Sequence, residues 1–239
     1  MKIHNVESSE KGQLLAAELF AEMSNQAPDA PVGLATGGTM SGVYSALASQ
    51  GFSPRFQDAF ALDEYLGISA ASENSYANEL ARMFAEPLSF QGKLHVPGQG
   101  DYKGASGADD FEAAIAKLGP ISVQLLGLGT NGHIAFNEPG SAFDSRTRIV
   151  ELHQETIEAN SIYFEDPKSM PTHAVTEGLA TIKQASNLLL LVFGEAKREA
   201  LAKALNDPDD SVPLSALLDH PGLVLITDLD YQFGYPQSF

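Results

Sequence analysis

The stretch Ile121-Ser122-Val123-Gln124-Leu125-Leu126-Gly127-Leu128-Gly129-Thr130-Asn131-Gly132-His133-Ile134-Ala135-Phe136-Asn137-Glu138-Pro139-Gly140 carries a strand, a turn and a candidate site in one run. The first six residues are mostly apolar and read as a buried strand. The glycines that follow let the backbone turn sharply and approach a ligand closely. His133 and Glu138 come next. Open α/β sheets place their chemistry where a strand ends in such a turn. A His–Glu pair there can move protons near neutral pH.

Outward from this stretch, other short apolar runs end in the same way. Residues 31–36 read as a strand ending in Gly37-Gly38-Thr39, with a helix over 41–49. Residues 59–62 form a second such run, ending at Asp63-Glu64-Tyr65, and 94–97 a shorter one. Residues 188–193 are wholly apolar, end at Gly194, and lead into a helix over 195–205; 223–227 form a last strand. Apolar residues at helical spacing predict further helices over 11–23 and 74–84. Another is expected over 109–118, with Ser106 or Asp109 as its cap and Gly119-Pro120 as its stop. Strands apolar on both faces, alternating with helices, predict an α/β fold. The expected form is a doubly wound, mostly parallel, Rossmann-like sheet with helices on both faces. At 239 residues the chain suits one domain over 1–239. Residues 143–172 are less regular and read as a mobile lid over the site.

Composition narrows the function. Fourteen Lys and Arg face 31 Asp and Glu, a formal charge of −17. That excludes nucleic acid as the expected partner, because phosphate backbones call for a basic surface. It speaks equally against an anionic membrane. No apolar run reaches the roughly 18 residues that span a bilayer, and residues 1–7 lack a signal peptide's apolar core. With no cysteine, disulfides and thiolate metal sites are excluded. His4, His95, His153, His173 and His220 show no metal-ligand spacing, so no metal is expected. These features predict a soluble, cytoplasmic protein.

Four strand ends carry candidate chemistry. Loop amides at Gly37 and Gly38, with the Thr39 and Ser41 hydroxyls at a helix N-terminus, can hold a phosphate; the same run also serves as a plain βα turn. Asp63 and Glu64 offer a general base. Neighbours in extended backbone point opposite ways, so only one is expected to face the site, and such a pair also serves as a helix cap. His133 can exchange a proton with a substrate oxygen while Glu138 orients or recharges it. Lys197, in the first turn of a helix, opposes the macrodipole and gains from a nearby anion.

Together these motifs resemble the glucosamine-6-phosphate deaminase family, the isomerase-deaminases of amino-sugar catabolism. The matching stretches are Gly33-Leu34-Ala35-Thr36-Gly37-Gly38-Thr39, Leu62-Asp63-Glu64-Tyr65-Leu66-Gly67 and Gly129 through Gly140. Ile157-Glu158-Ala159-Asn160-Ser161, Gly194-Glu195-Ala196-Lys197 and Ser215 through Pro221 add to them, in family order over nearly the whole chain. The resemblance implies a cofactor-free reaction on a small amino-sugar phosphate: glucosamine 6-phosphate and water give fructose 6-phosphate and ammonia. Carried over by position, the catalytic set is Asp63, Asn131, His133 and Glu138. The phosphate set is Gly37, Gly38, Thr39, Ser41 and Lys197, and no metal is implied. A 6-phosphogluconolactonase is the nearest rival; that family resembles this chain less after the second strand, where it carries Asp-Glu-Arg. A non-catalytic sugar-phosphate sensor is the third reading. The chain ends soon after its last strand, at Tyr231-Gln232-Phe233-Gly234-Tyr235, which favours a monomer or small homo-oligomer.

Three positions depart from the family pattern. Asn131 stands where some members carry Asp; an amide can accept a hydrogen bond from His133 but cannot stabilise an imidazolium by charge. Met40 stands in place of a usual Pro, which loosens the phosphate turn. Ile162 stands where the family often has an Arg on the phosphate, and a bidentate Arg is a strong phosphate ligand. Lys197 and the 37–41 loop, or another base such as Lys168, must then suffice. The expected outcome is that Ile162→Arg lowers KM for glucosamine 6-phosphate; an unchanged KM in steady-state kinetics would refute the weakened phosphate site.

Overall fold

Apolar segments long enough for one crossing of the core, separated by helices, decide the architecture. The computed structural model describes residues 1–161, 164, 166–206 and 208–230, apart from the side chains of 155, 159 and 168. Ile162 and the run 231–235 therefore lie outside the described residues, as does the Lys168 side chain.

The chain runs through β1 (Lys2–Asn5), α1 (Ser9–Gln26), β2 (Val32–Leu34), α2 (Gly38–Ser49), β3 (Asp58–Ala61) and β4 (Asp63–Tyr65). Next come α3 (Tyr76–Leu80), extended by a π-turn over Ala81–Ala85, then β5 (Lys93–His95), α4 (Gly107–Leu118) and β6 (Gln124–Gly127). The remainder is β7 (Arg148–Glu151), α5 (Gln154–Ser161), β8 (His173–Thr176), α6 (Leu179–Ile182), β9 (Leu188–Val192), α7 (Arg198–Asn206) and β10 (Leu223–Thr227). In α1, Ser8 caps the first turn and Ala16, Ala17 and Phe20 form the buried face, the i, i+4 stripe a core-facing helix needs.

Seven strands make one sheet in the order β1-β10-β9-β6-β2-β3-β5, every pair parallel. All five residues of β9 and of β10 are buried, so both faces are covered, as parallel sheets require. The predicted doubly wound α/β class is the observed one. The strand order turns around between β2 and β6. There the loops leaving the two strands diverge, and a crevice opens at their carboxyl ends. Among the described residues no helix is long and apolar enough to cross a membrane.

A second sheet, β4-β8-β7, was not legible from periodicity. It is antiparallel, with Asp63 opposite Thr176 and Arg148 also opposite Thr176. Its strands are three or four residues long and β7 alternates between half-buried and exposed, so none forms an apolar run. Much of the segment read as irregular, 143–172, is thus β7 and α5. Tyr65, Phe136, Leu152, Met170 and Ala174 close a small core of their own beneath this sheet.

Leu62 joins the two sheets. Its N–H donates to the Leu34 carbonyl of β2 at 3.1 Å, and its carbonyl accepts from the Glu177 N–H, just past β8, at 2.8 Å. The residue after Leu62 is Asp63, delivered to the edge of the crevice.

Glu177 is fully buried, and among the described residues neither carboxyl oxygen has a hydrogen-bond partner. Burial, with Glu112 and Asp63 adding repulsion, pushes its carboxyl well above the usual range. A group raised in this way adds no pH-dependent penalty below the unfolded pKa and destabilises the fold increasingly as pH rises above it. Glu177→Met should therefore raise the melting temperature at pH 7, at about 2–4 °C per kcal/mol for a chain of this size. The gain should shrink towards pH 4, and melts of the two proteins across that range check it.

Candidate active site

The carboxyl ends of β2, β3, β6 and β9 surround a cavity of about 400 Å³. Gly37, Gly38, Thr39, Asp63, Asn131, His133 and Lys197 all reach its wall. Ser41 and Glu138 do not. Ser41 is exposed and its hydroxyl donates to the Gly38 carbonyl at 3.0 Å, because helix geometry turns it out of the crevice. Glu138 is buried behind His133.

The Gly-rich loop after β2 depends on one conformation. Gly37 has φ of +98° and ψ of 168° at the N-terminus of α2, a region essentially confined to glycine, where a side chain costs about 1–3 kcal/mol. Its carbonyl accepts from the Met40 N–H at 3.0 Å and the Ser41 N–H at 3.1 Å. Met40 is buried; a proline there would lack the N–H that makes the first of these bonds. The turn is thus tied at Met40 rather than loosened, which corrects the sequence expectation. The Gly37 N–H is already engaged, donating to Glu79 Oε1 at 3.0 Å.

Asp63 and Glu64 divide as alternating neighbours should. Asp63 faces the cavity. Glu64 turns towards α3, accepting from the Tyr76 N–H at 3.1 Å and the Ala77 N–H at 3.0 Å. One residue is a cap and the other a candidate base. Burial, then the charges of Glu64 and Glu79, push the Asp63 carboxyl up to about 8.

The loop after β6 clasps its own His. The His133 N–H donates to Asn131 Oδ1 at 3.1 Å, and Asn131 Nδ2 donates to Glu138 Oε2 at 2.8 Å. Asn131 therefore accepts from the His133 backbone, not from its ring as expected. The ring Nδ1 lies 3.7 Å from the same Glu138 oxygen, an ion-pair distance beyond hydrogen-bond reach. Thr156 of α5 holds the other Glu138 oxygen at 2.8 Å. Burial alone would raise Glu138, but His133, Asn131 and Thr156 outweigh it and hold the carboxyl down at about 2. Ala135 takes φ of +54° in a turn closed by the Asn137 N–H on the Ile134 carbonyl at 3.0 Å. The Asn137 amide then bonds the Glu177 carbonyl at 2.7 Å and Arg148 at 2.8 Å, tying this loop to the second sheet.

Lys197 closes the far side, in a 3-10 turn (Glu195–Lys197) ahead of α7 rather than in the first turn of the helix itself. It is half-buried, burial lowers its pKa, and among the described residues no carboxylate lies within ion-pair distance. Among the described residues there is no cluster of three His, Cys, Asp or Glu fit for a metal. Tyr76, Thr156 and Asn160 also line the cavity and were not singled out from the sequence. Asn160 lies inside a family-matching stretch, whereas Tyr76 and Thr156 carry no sequence signal of their own.

The chain matches over residues 7–225 the family described as glucosamine-6-phosphate isomerases/6-phosphogluconolactonase. The glucosamine-6-phosphate deaminase of Shouchella clausii is 38% identical over 244 residues, covering 100% of this chain and 99% of that protein. The same enzyme from Staphylococcus saprophyticus is 40% identical over 240 residues, covering 95% and 97%. Among solved structures, a monomeric glucosamine-6-phosphate deaminase superposes with a TM-score of 0.87 at 35% identity, over 95% of this chain and 97% of that one. A 6-phosphogluconolactonase from Trypanosoma cruzi gives 0.75 at 20% identity, over 95% and 93%, a likeness of fold alone.

A Cβ on Gly129 would sit 2.3 Å from the His133 ring, so the ring lies flat against this backbone. Gly129→Ala must displace the imidazole from Glu138. The expected result is a roughly tenfold or greater loss of turnover in a protein whose circular dichroism and melting remain near normal; full activity would show that the His133 position is unimportant.

Proposed function

This chain belongs to the glucosamine-6-phosphate isomerase/6-phosphogluconolactonase family, and from that premise we propose that it converts glucosamine 6-phosphate and water to fructose 6-phosphate and ammonia. The observation that carries the reading is Asp63: a buried carboxyl brought to about 8, in the wall of the cavity that also holds His133 and Lys197. A group titrating near neutrality can both take and return a proton.

The phosphate rests against Lys197, the Gly38 and Thr39 amides and the Thr39 hydroxyl, supplying binding energy remote from the reacting carbons. His133 opens the pyranose ring by moving a proton between the C1 hydroxyl and the ring oxygen. Glu138 stays ionised and steadies the charge on the imidazole; Asn131 fixes the loop that carries both. Asp63 removes the C2 proton to give an enolamine and returns a proton to C1. The imine left at C2 adds water and releases ammonia, leaving the ketose. The steps are proton transfers, one water addition and the C–N cleavage of the resulting carbinolamine that expels ammonia; the residues in the wall, with Glu138 behind His133, carry the proton transfers. The segment 143–172 serves as a lid, since α5 brings Thr156 and Asn160 to the cavity. The metabolic relatives support action in the cytoplasm, and the likeness to a monomeric deaminase supports a monomer or small homo-oligomer.

The lactonase alternative is not favoured, because its structural likeness comes at low identity, and a sensor has no need of three proton-transfer groups. Asp63→Asn should leave the fold intact and cut ammonia release by roughly 10²–10⁴-fold. Exchange of the C2 hydrogen with solvent should stop with it. Retained exchange would remove Asp63 as the base, while lactone hydrolysis without ammonia release by the natural protein would overturn the reading itself.

A further inference from the structure

A carboxylate holds an amide of the loop expected to take the phosphate. Glu79 projects from α3 and accepts the Gly37 N–H at 3.0 Å. The N-terminus of α2 has no side-chain cap of its own, since Gly37 occupies the cap position. An acid is the favourable partner for the positive end of a helix, and here it is supplied by a residue 42 positions away. The Met40 and Ser41 N–H groups are spent on the Gly37 carbonyl, which leaves the Gly38 and Thr39 amides for a ligand.

Glu79 is also central to the charges of the site. Tyr76, one turn earlier on α3, lines the cavity, and Glu64 of β4 holds the start of the same helix. The groups that feel Glu79 are Asp63 and Glu64 on β4, Tyr76 on α3 and Tyr44 on α2. Among the described residues no Lys or Arg lies within ion-pair distance of Glu79 to offset it. His133 and Lys197 face Asp63 from the other walls of the cavity.

We propose that Glu79 is a positioning residue of this site: its carboxylate ties the Gly37 turn, takes the amide a phosphate would otherwise use, and places negative charge beside both phosphate loop and Asp63. The proposal rests on the deaminase reading for its substrate, but not for its geometry. Two consequences follow. A phosphate dianion entering the loop meets an opposing charge and is held less tightly than the loop alone would allow. Asp63 is kept closer to its neutral form than burial and Glu64 alone would keep it.

The test compares the natural protein with Glu79→Gln, which keeps an oxygen to accept the Gly37 N–H and loses only the charge. Calorimetry with inorganic phosphate should show roughly two- to fivefold tighter binding in the variant, the scale of one screened charge. The difference should collapse at about 1 M salt, where the Debye length is only about 3 Å. KM for glucosamine 6-phosphate should fall in parallel. The acid limb of kcat/KM should move to lower pH. Glu79→Ala, which also removes the acceptor, should lose kcat. Unchanged phosphate affinity together with an unmoved acid limb in Glu79→Gln would overturn the proposal, as would a kcat loss equal to that of Glu79→Ala. A natural protein that binds phosphate but releases no ammonia would sink the deaminase reading, and the calorimetric comparison would still judge Glu79.

Discussion

The paired backbone bonds of Leu62 hold this site together. One reaches the parallel sheet through Leu34 and the other reaches the antiparallel sheet through Glu177. A strand continuing straight would have carried Asp63 into solvent beyond the sheet. Instead the chain changes partner sheets at a single residue, and the next side chain enters the crevice between β2 and β6. Buried backbone groups must find partners, so this crossing tolerates little variation. The small aromatic core around Tyr65, Tyr76 and Phe136 then locks the second sheet over the opening.

The electrostatics of the site follow from where that crossing leaves its carboxyls. Asp63 is buried among other acids and is pushed up to about 8. Glu138 is also buried, but hydrogen-bond donors and an imidazole surround it, and it is held at about 2. Two carboxyls at one site are moved in opposite directions by their neighbours, the pattern that separates a proton-exchanging acid from one that keeps its charge. The overall charge of −17 makes this arrangement demanding for an anionic substrate. Lys197, half-buried and free of any carboxylate partner among the described residues, is a local cation on the cavity wall.

Much of the fold was legible because strands buried on both faces cannot disguise themselves. The run 188–192 is apolar throughout and the run 223–227 is apolar up to Thr227, and both stand in the parallel sheet as read. The second sheet was not legible: β4, β7 and β8 are short and mixed in polarity, and β7 exposes Ile149 on one side. The split between Asp63 and Glu64 followed from alternation alone. The roles of Ser41 and Asn131 did not, since both depend on which way one short side chain turns within a tight loop.

The sequence by itself determined the fold class, the family and the strand ends that carry chemistry, because these rest on local periodicity and on contiguous motifs. Only the tertiary structure decided which groups share the cavity, that Glu138 sits buried behind His133, and that Glu79 reaches Gly37. The Glu79–Gly37 contact joins residues 42 positions apart in the chain. The pKa shifts of the site arise from burial and neighbouring charge, quantities that exist only once the chain has folded.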